Sequence, residues 1–247
     1  MYHMITCDQA FAFLIMFTLL LSFALPGTAA SEELHPDGLT AKDIIQRMAE
    51  AYAKSRSYSD SGVVKTVFIS TDSRRTTEKP FTTAFIRPDR FRFEFREKKH
   101  GNREYRYIVY RDGKDVQTYW DVDNGIRKAE SLDGAVARAA GVSSGSAHRI
   151  PAMLLPDEIT WRRAIRFHDP KRIGDAVFDT ADCFRIHDAI MGGPVTLWID
   201  KKTFMLRKVY REQMFEDFRT QETTTYEPMV NGPIRDKMLA FDPPTEN

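Results

Sequence analysis

Apolar and polar positions alternate over much of the chain, and this alternation predicts β-strands. In residues 82–97, TTAFIRPDRFRFEFRE, single charged residues separate Phe91, Phe93 and Phe95. The phenylalanines therefore share one strand face, and the arginines and glutamates share the other. Turn signals follow at short spacing, beginning with Asp-Gly at 112–113. Strands joined by short turns predict an antiparallel sheet whose phenylalanines are buried and whose charged face is in water.

Before these strands, the spacing of apolar residues changes from two to that of a helix. Residues 41–56 place Ile44, Met48 and their apolar neighbours on one helical stripe. Thr40 with Asp43 resembles a capping box at its start. The sequence predicts one amphipathic helix here, whose apolar stripe needs a surface to cover.

A second helical stretch, 131–156, interrupts the strands in the middle of the chain. Ser131 is a candidate N-cap of a helix that ends near Gly141, and one further helical turn is expected at 151–155. The glycines and serines of GVSSGS, 141–146, are typical of a hinge. We expect this segment to be the movable part of a lid on the sheet, with 41–56 as its fixed part. The lid residues with apolar side chains are Leu132, Val136 and Met153.

The second half of the chain returns to strands, and its clearest feature is the hairpin PVTLWIDKKTFMLRKV, 194–209. One face of this hairpin should face the core, while Trp198 and Met205 should lie on the outer face, where they are able to pack on each other. The predicted inward residues are Val195, Leu197, Ile199, Phe204 and Leu206.

The beginning of the chain resembles an export signal. Residues 10–25 are an apolar run of about 16 residues, shorter than the roughly 20 that a membrane-spanning helix needs. The small residues Thr28 and Ala30 fit a cleavage site. We expect 1–30 to be a signal peptide and 31–39 a flexible start. A single domain, 40–247, follows and would be soluble in the periplasm, with an uncleaved membrane anchor as the alternative.

Composition narrows the function classes. The chain has 36 basic and 35 acidic residues, so it lacks the basic surplus of a nucleic-acid-binding protein. Cleavage after residue 30 would leave Cys183 as the single cysteine and therefore no internal disulfide. The histidines lack metal-ligand spacing, so no metal or cofactor is expected.

GVSSG, 141–145, matches a nucleophile elbow around Ser143, but the required strand-turn-helix order is reversed. We therefore expect no enzyme, and an esterase-like hydrolase using Ser143 stays a remote alternative.

Several of these stretches together resemble a known superfamily. RPDRFRFEF, beginning at Arg87-Pro88, and DGKDVQTYWDVD, beginning at Asp112-Gly113, are similar to strands of the lipoprotein carrier LolA and its receptor LolB. The whole mature chain also resembles a family of uncharacterised predicted periplasmic proteins thought to share that fold, and the resemblance covers most of 40–244. The resemblance implies an α+β fold, an incomplete antiparallel β-barrel, or half-barrel, whose open side is covered by a helical lid.

The implied function is a periplasmic binding or carrier protein for an acyl chain, a lipoprotein or another apolar ligand held between sheet and helices. A sensory or scaffolding module that binds an envelope protein is the alternative, because ordinary core packing gives the same apolar faces. The residues expected to line the cavity are Phe91, Phe93, Phe95, Tyr107, Val109, Leu154, Leu197, Ile199, Phe204 and Leu206.

Overall fold

A twelve-stranded antiparallel sheet forms the frame of the protein, as seen in a computed structural model. The expected antiparallel half-barrel is confirmed: the two edge strands pair with no further strand in the part of the chain that the structure describes, so the sheet is open. The predicted signal peptide lies outside the described residues. Those residues are 35–98, 104–123, 125–160, 166–190 and 192–244.

The sheet consists of two meanders, and the first strand of one pairs with the last strand of the other. In space its order is β6-β5-β4-β3-β2-β1-β11-β10-β9-β8-β7, and β12 pairs with β1. The strands are β1 Ser57–Ser70, β2 Arg74–Ile86, β3 Arg90–Lys98, β4 Glu104–Asp112, β5 Asp115–Trp120, β6 Gly125–Ala129, β7 Lys171–Phe178, β8 Ala181–Ile190, β9 Gly193–Asp200, β10 Leu206–Met214, β11 Phe218–Tyr226 and β12 Met229–Val230.

This strand order explains why helices cover one face. The edge strands β6 and β7 are consecutive in the chain, so the segment between them must pass from one edge of the sheet to the other. That segment carries two of the helices, and the third precedes β1. The helices are α1 Ala41–Ala53, α2 Leu132–Val142 and α3 Ser146–Leu154.

The capping residues predicted from sequence start α1 and α2. The Thr40 hydroxyl accepts a hydrogen bond from the Asp43 amide at 3.2 Å, and the Asp43 carboxylate accepts one from the Thr40 amide at 2.9 Å. At the start of α2, the Ser131 hydroxyl accepts from the Gly134 amide at 3.1 Å. These side chains satisfy backbone N–H groups that have no partner within the helix.

The outer face, opposite the helices, differs from the prediction. Arg92 and Glu94 of β3 were expected in water, yet their side chains are only 9% and 7% exposed. The C-terminal segment 231–244 covers Arg92: Asp242 binds its guanidinium at 2.8 Å, and Phe241 stacks on Tyr110. Arginines of β3 and β4 surround Glu94. The wet-face prediction is therefore wrong for these two residues, because a distant segment covers the first and arginines of the sheet cover the second.

Two further elements differ from the sequence pattern. Strand β7 was not predicted, because exposed and half-buried positions alternate along it and none is fully buried. Near the C-terminus the second half of the chain leaves the strand pattern and holds a short 3₁₀ helix, Asp236–Met238.

Candidate ligand site between the helices and the sheet

Strand register places aromatic side chains in rows across the inner face, the face that the helices cover. Phe81 pairs with Phe95, Phe95 with Tyr107, and Tyr107 with Trp120, on four neighbouring strands. The Phe95 and Tyr107 rings stack at 5.9 Å, and the Tyr107 and Trp120 rings are 5.7 Å apart. Phe93 is the next residue of β3 on this face and pairs with Val109. The inner face thus carries a continuous band of rings.

The structure brings the predicted lining residues together. Nine of the ten belong to one buried core between helices and sheet, and the tenth, Phe204, packs half-buried against that core. The predicted lid residues Leu132, Val136 and Met153 are buried in the same core. Helix side chains therefore occupy the space above the band of rings in this structure.

The hairpin at 194–209 departs from the predicted alternation at its turn. Phe204 has a positive φ of 56°, and the strand pairing is irregular between Leu206 and Lys208. This geometry turns Met205 into the core, where it is 2% exposed, so the expected Trp198–Met205 pair does not form. Trp198 instead lies under the ammonium group of Lys208, 4.4 Å from the ring centroid.

Arg87 anchors the helices at one end of the sheet. Its guanidinium donates hydrogen bonds to the carbonyl oxygens of Ala53 and Leu154, both at 2.8 Å, and to that of Ser55 at 3.1 Å. It therefore binds carbonyl groups at the C-terminal ends of α1 and α3 that have no partner within those helices. This charged anchor holds the end of α3 against α1.

The expected hinge GVSSGS is a bonded turn. Ser143 and Ser146 are 0% and 1% exposed. The Ser143 hydroxyl accepts from the Ala147 amide at 3.2 Å, and the Ser146 hydroxyl donates to the Ser143 carbonyl at 2.9 Å. The segment is therefore packed and bonded where a hinge was expected, because its serine side chains are buried and bind its own backbone. Ser143 is therefore buried, whereas the esterase hypothesis requires an accessible nucleophile at this position.

A buried carboxyl group lies inside the core and was missed in the sequence. Asp60 of β1 is 4% exposed, and its carboxylate accepts a hydrogen bond from the Tyr58 hydroxyl at 2.8 Å. Burial raises the pKa of Asp60 to about 6. The stretch YSDSG around it is polar, so nothing in its pattern indicates that Asp60 faces inward. Thr83 lies opposite Asp60 in the strand pairing.

A second polar contact ties α3 to the inner face. The Arg149 guanidinium donates to the Tyr226 hydroxyl at 2.6 Å. Glu222 lies near Arg149, and burial raises the pKa of this carboxyl while Arg149 and Arg211 lower it. Arg149 lies in the predicted lid segment 131–156, between its expected helical parts, and the sequence did not indicate its partner on β11.

One cleft opens beside α2, where the band of rings reaches the surface. Its volume is about 230 Å³. Tyr107 and Thr118 are its buried floor, Trp120 is a half-buried wall, and the exposed Arg127 and Arg138 stand at its rim. The remaining lining residues are Asp123, Gly125 and Val142.

The described part of the chain gives little support for a metal site, a membrane-spanning helix or a reactive thiol. There, no group of three or more histidine, cysteine, aspartate or glutamate residues is arranged to hold a metal ion. No described helix is both long and apolar enough to cross a bilayer. Cys183 is buried and free, and burial raises the pKa of its thiol to about 11, which keeps it protonated and unreactive at neutral pH.

Comparison with known proteins returns structures but no sequence relatives. No family model and no curated protein matches the chain. Lipoprotein LppX of Mycobacterium tuberculosis is 12% identical, with a TM-score of 0.44 and coverage of 79% of this chain and 97% of that one. LprF of Mycobacterium bovis is 10% identical, with a TM-score of 0.40 and coverage of 79% and 94%. A LolA superfamily protein of Nitrosomonas europaea is 12% identical, with a TM-score of 0.32 and coverage of 82% and 98%.

Proposed function

We propose that this protein is a periplasmic binding or carrier protein for an acyl chain, a lipoprotein or another apolar ligand. The observation that carries the proposal is the band of aromatic and aliphatic side chains on the inner face, which is covered by separate helices rather than by a second sheet. Helices α2 and α3 form no strand pairing with the sheet, so a ligand chain would replace apolar side-chain contacts, while hydrogen bonds such as those of Lys79, Arg87 and Arg149 tie the helices down at separate points. Ligand uptake would exchange helix contacts for ligand contacts of similar apolar area.

A protein-binding module of the cell envelope is the second candidate. Two observations favour it: the predicted lining residues are packed against helix side chains, and the edge strand β7 exposes Ile173 and Val177 by 42% and 67%. An exposed edge strand is able to pair with an extended segment of another protein. In that case the inner face would serve as the structural core alone.

Displacement of an apolar dye tests the first candidate. We expect N-phenyl-1-naphthylamine to fluoresce on binding, and myristate to displace it with a Kd on the order of micromolar. Val109→Phe adds volume above the band of rings and should weaken both ligands about tenfold or more. Val122→Phe is the matched control, because Val122 is 46% exposed, and it should bind like the parent.

Thermal melts establish that both variants are folded. Absence of dye and myristate binding to the parent at about 100 times the expected Kd would remove the carrier proposal and leave the protein-binding module. Equal affinities in the parent and Val109→Phe would place the bound dye somewhere other than the inner face.

A further inference from the structure

The cleft beside α2 supplies charge at the point where the apolar band ends. Arg127 comes from β6 and Arg138 from α2, so two different elements aim guanidinium groups at the same 230 Å³ space. Tyr107 and Trp120 form an aromatic surface between them, with ring centroids 5.7 Å apart. A cleft with an aromatic floor and cationic rim has the chemistry that binds the anionic end of an amphiphile.

The charges of the cleft leave a positive excess. Asp123 is the carboxylate among the lining residues, and it binds Arg127 at 3.3 Å. Arg138 lies close enough to Tyr107 to lower the pKa of its hydroxyl against the larger effect of burial, which raises it. Behind the cleft, the Lys79 ammonium group donates to the Val142 carbonyl at 2.8 Å. Lys79 is itself paired with Glu97 at 3.6 Å. The cleft therefore holds two guanidinium groups against one carboxylate, and this excess of one positive charge favours an anionic group there.

The cleft is continuous with the apolar interior. Tyr107 forms part of the cleft floor and stacks on Phe95, which is 2% exposed, and Phe93 follows Phe95 at 6.5 Å between ring centroids. A ligand chain that starts at the cleft would follow these rings under α2 and α3. This continuity distinguishes the cleft from an isolated surface depression.

We propose that the cleft formed by Tyr107, Trp120, Arg127 and Arg138 binds the anionic headgroup, phosphate or carboxylate, of an amphiphile whose apolar chain lies between the helices and the sheet. This proposal rests on the proposed function and specifies its ligand class. Arg127 and Arg138 form charge-assisted hydrogen bonds to the headgroup oxygens, and Tyr107 and Trp120 pack against the first methylene groups.

Titration calorimetry with ligands that share one chain and differ in headgroup tests the proposal. The probes are dodecyl phosphate, laurate, dodecanol and inorganic phosphate. The parent should bind dodecyl phosphate or laurate about tenfold or more tightly than dodecanol, and the tighter of the two identifies the headgroup as phosphate or carboxylate. Inorganic phosphate alone should bind much more weakly than dodecyl phosphate, because it lacks the chain.

The variant R127Q/R138Q removes both guanidinium groups from exposed positions, so it should fold like the parent. It should lose the preference for anionic headgroups and keep its affinity for dodecanol. K128Q is the matched control: Lys128 neighbours Arg127 on β6 but points to the opposite face, and the anionic preference should persist.

The outcomes separate the two proposals. Equal affinities for dodecanol and the anionic ligands in the parent would overturn the headgroup site while supporting the apolar ligand. An anionic preference that survives in R127Q/R138Q would overturn it as well. Inorganic phosphate that binds as tightly as dodecyl phosphate would show that the chain plays no part. Failure of dodecanol and both anionic amphiphiles to bind would overturn the proposed function together with the headgroup site.

Discussion

Asp60 is a buried residue whose negative charge destabilises the folded state. Its pKa is about 6 in the fold against 3.8 for a free aspartate, so the folded protein holds a proton that the unfolded chain releases. Stability attributable to this group therefore falls as pH rises from about 4 to about 6, and stays low above that. The difference between these two pKa values lowers the free energy of unfolding by ~3 kcal/mol at pH 7 relative to pH below 4. The facing groups, Tyr52, Tyr58 and Tyr226, have pKa values raised by burial and stay neutral in this range.

Asp60→Asn should therefore stabilise the protein at pH 7. The neutral amide keeps an oxygen to accept from Tyr58, and we expect the free energy of unfolding to rise by about 2–3 kcal/mol at pH 7 and to change little at pH 4. Urea unfolding at pH 4, 5.5 and 7 measures this difference. Asp179→Asn is the control, because Asp179 is 69% exposed. A gain that is the same at pH 4 and pH 7 would contradict the account of Asp60.

At the scale of residues, the sequence predicts which face of a strand a side chain lies on better than it predicts which distant segment buries that side chain. Phe91, Phe93 and Phe95 face inward as expected, because strict alternation fixes direction in a strand. The burial of Arg92 depends on Asp242, which lies 150 residues further along the chain, and local pattern carries no information about that contact. Asp60 was missed for the same reason, since its cover comes from other elements.

At the scale of elements, α2 and α3 should open as one unit. The buried turn at 143–146 joins them, and Arg87 holds the end of α3. Motion is therefore expected at the start of α2, where Ser131 supplies the cap. The sequence predicted where α1 and α2 begin, because caps are local, but α3 begins at Ser146 rather than at the expected turn 151–155. It did not predict that serines at 143 and 146 would be buried, because that depends on what packs over them.

Ser131→Ala tests this view of the lid. Loss of the N-cap should cost about 1 kcal/mol and raise amide exchange rates across 132–142 roughly fivefold, with little change in the β9–β10 hairpin. Thr40→Ala removes the equivalent cap of α1 and should leave exchange in α2 unchanged. Hydrogen exchange read by mass spectrometry measures the exchange rates in α2 and in the β9–β10 hairpin for both variants. If Ser131→Ala accelerated amide exchange in α2 and in the hairpin by the same factor, the helices and the sheet would open only by global unfolding.

At the scale of the whole molecule, one covalent connection decides the architecture. The chain must pass from β6 to β7 across an open sheet, so it places helices on the inner face. Sequence alternation and the resemblance to LolA and LolB predicted this layout. The edge strand β7 and the cleft beside α2 were not predicted, because β7 has no fully buried position and the cleft joins residues from four elements.

The central claim is that an apolar chain binds between the helices and the sheet, and intermolecular nuclear Overhauser effects test it most directly. Uniformly carbon-13-labelled laurate would be added to protein with methyl-labelled valine, leucine and methionine. We predict contacts from the ligand chain to the methyl groups of Val109, Leu154 and Leu197, which are 0% exposed in the structure without ligand. Contacts confined to exposed methyl groups such as that of Met214, which is 74% exposed, would contradict the claim.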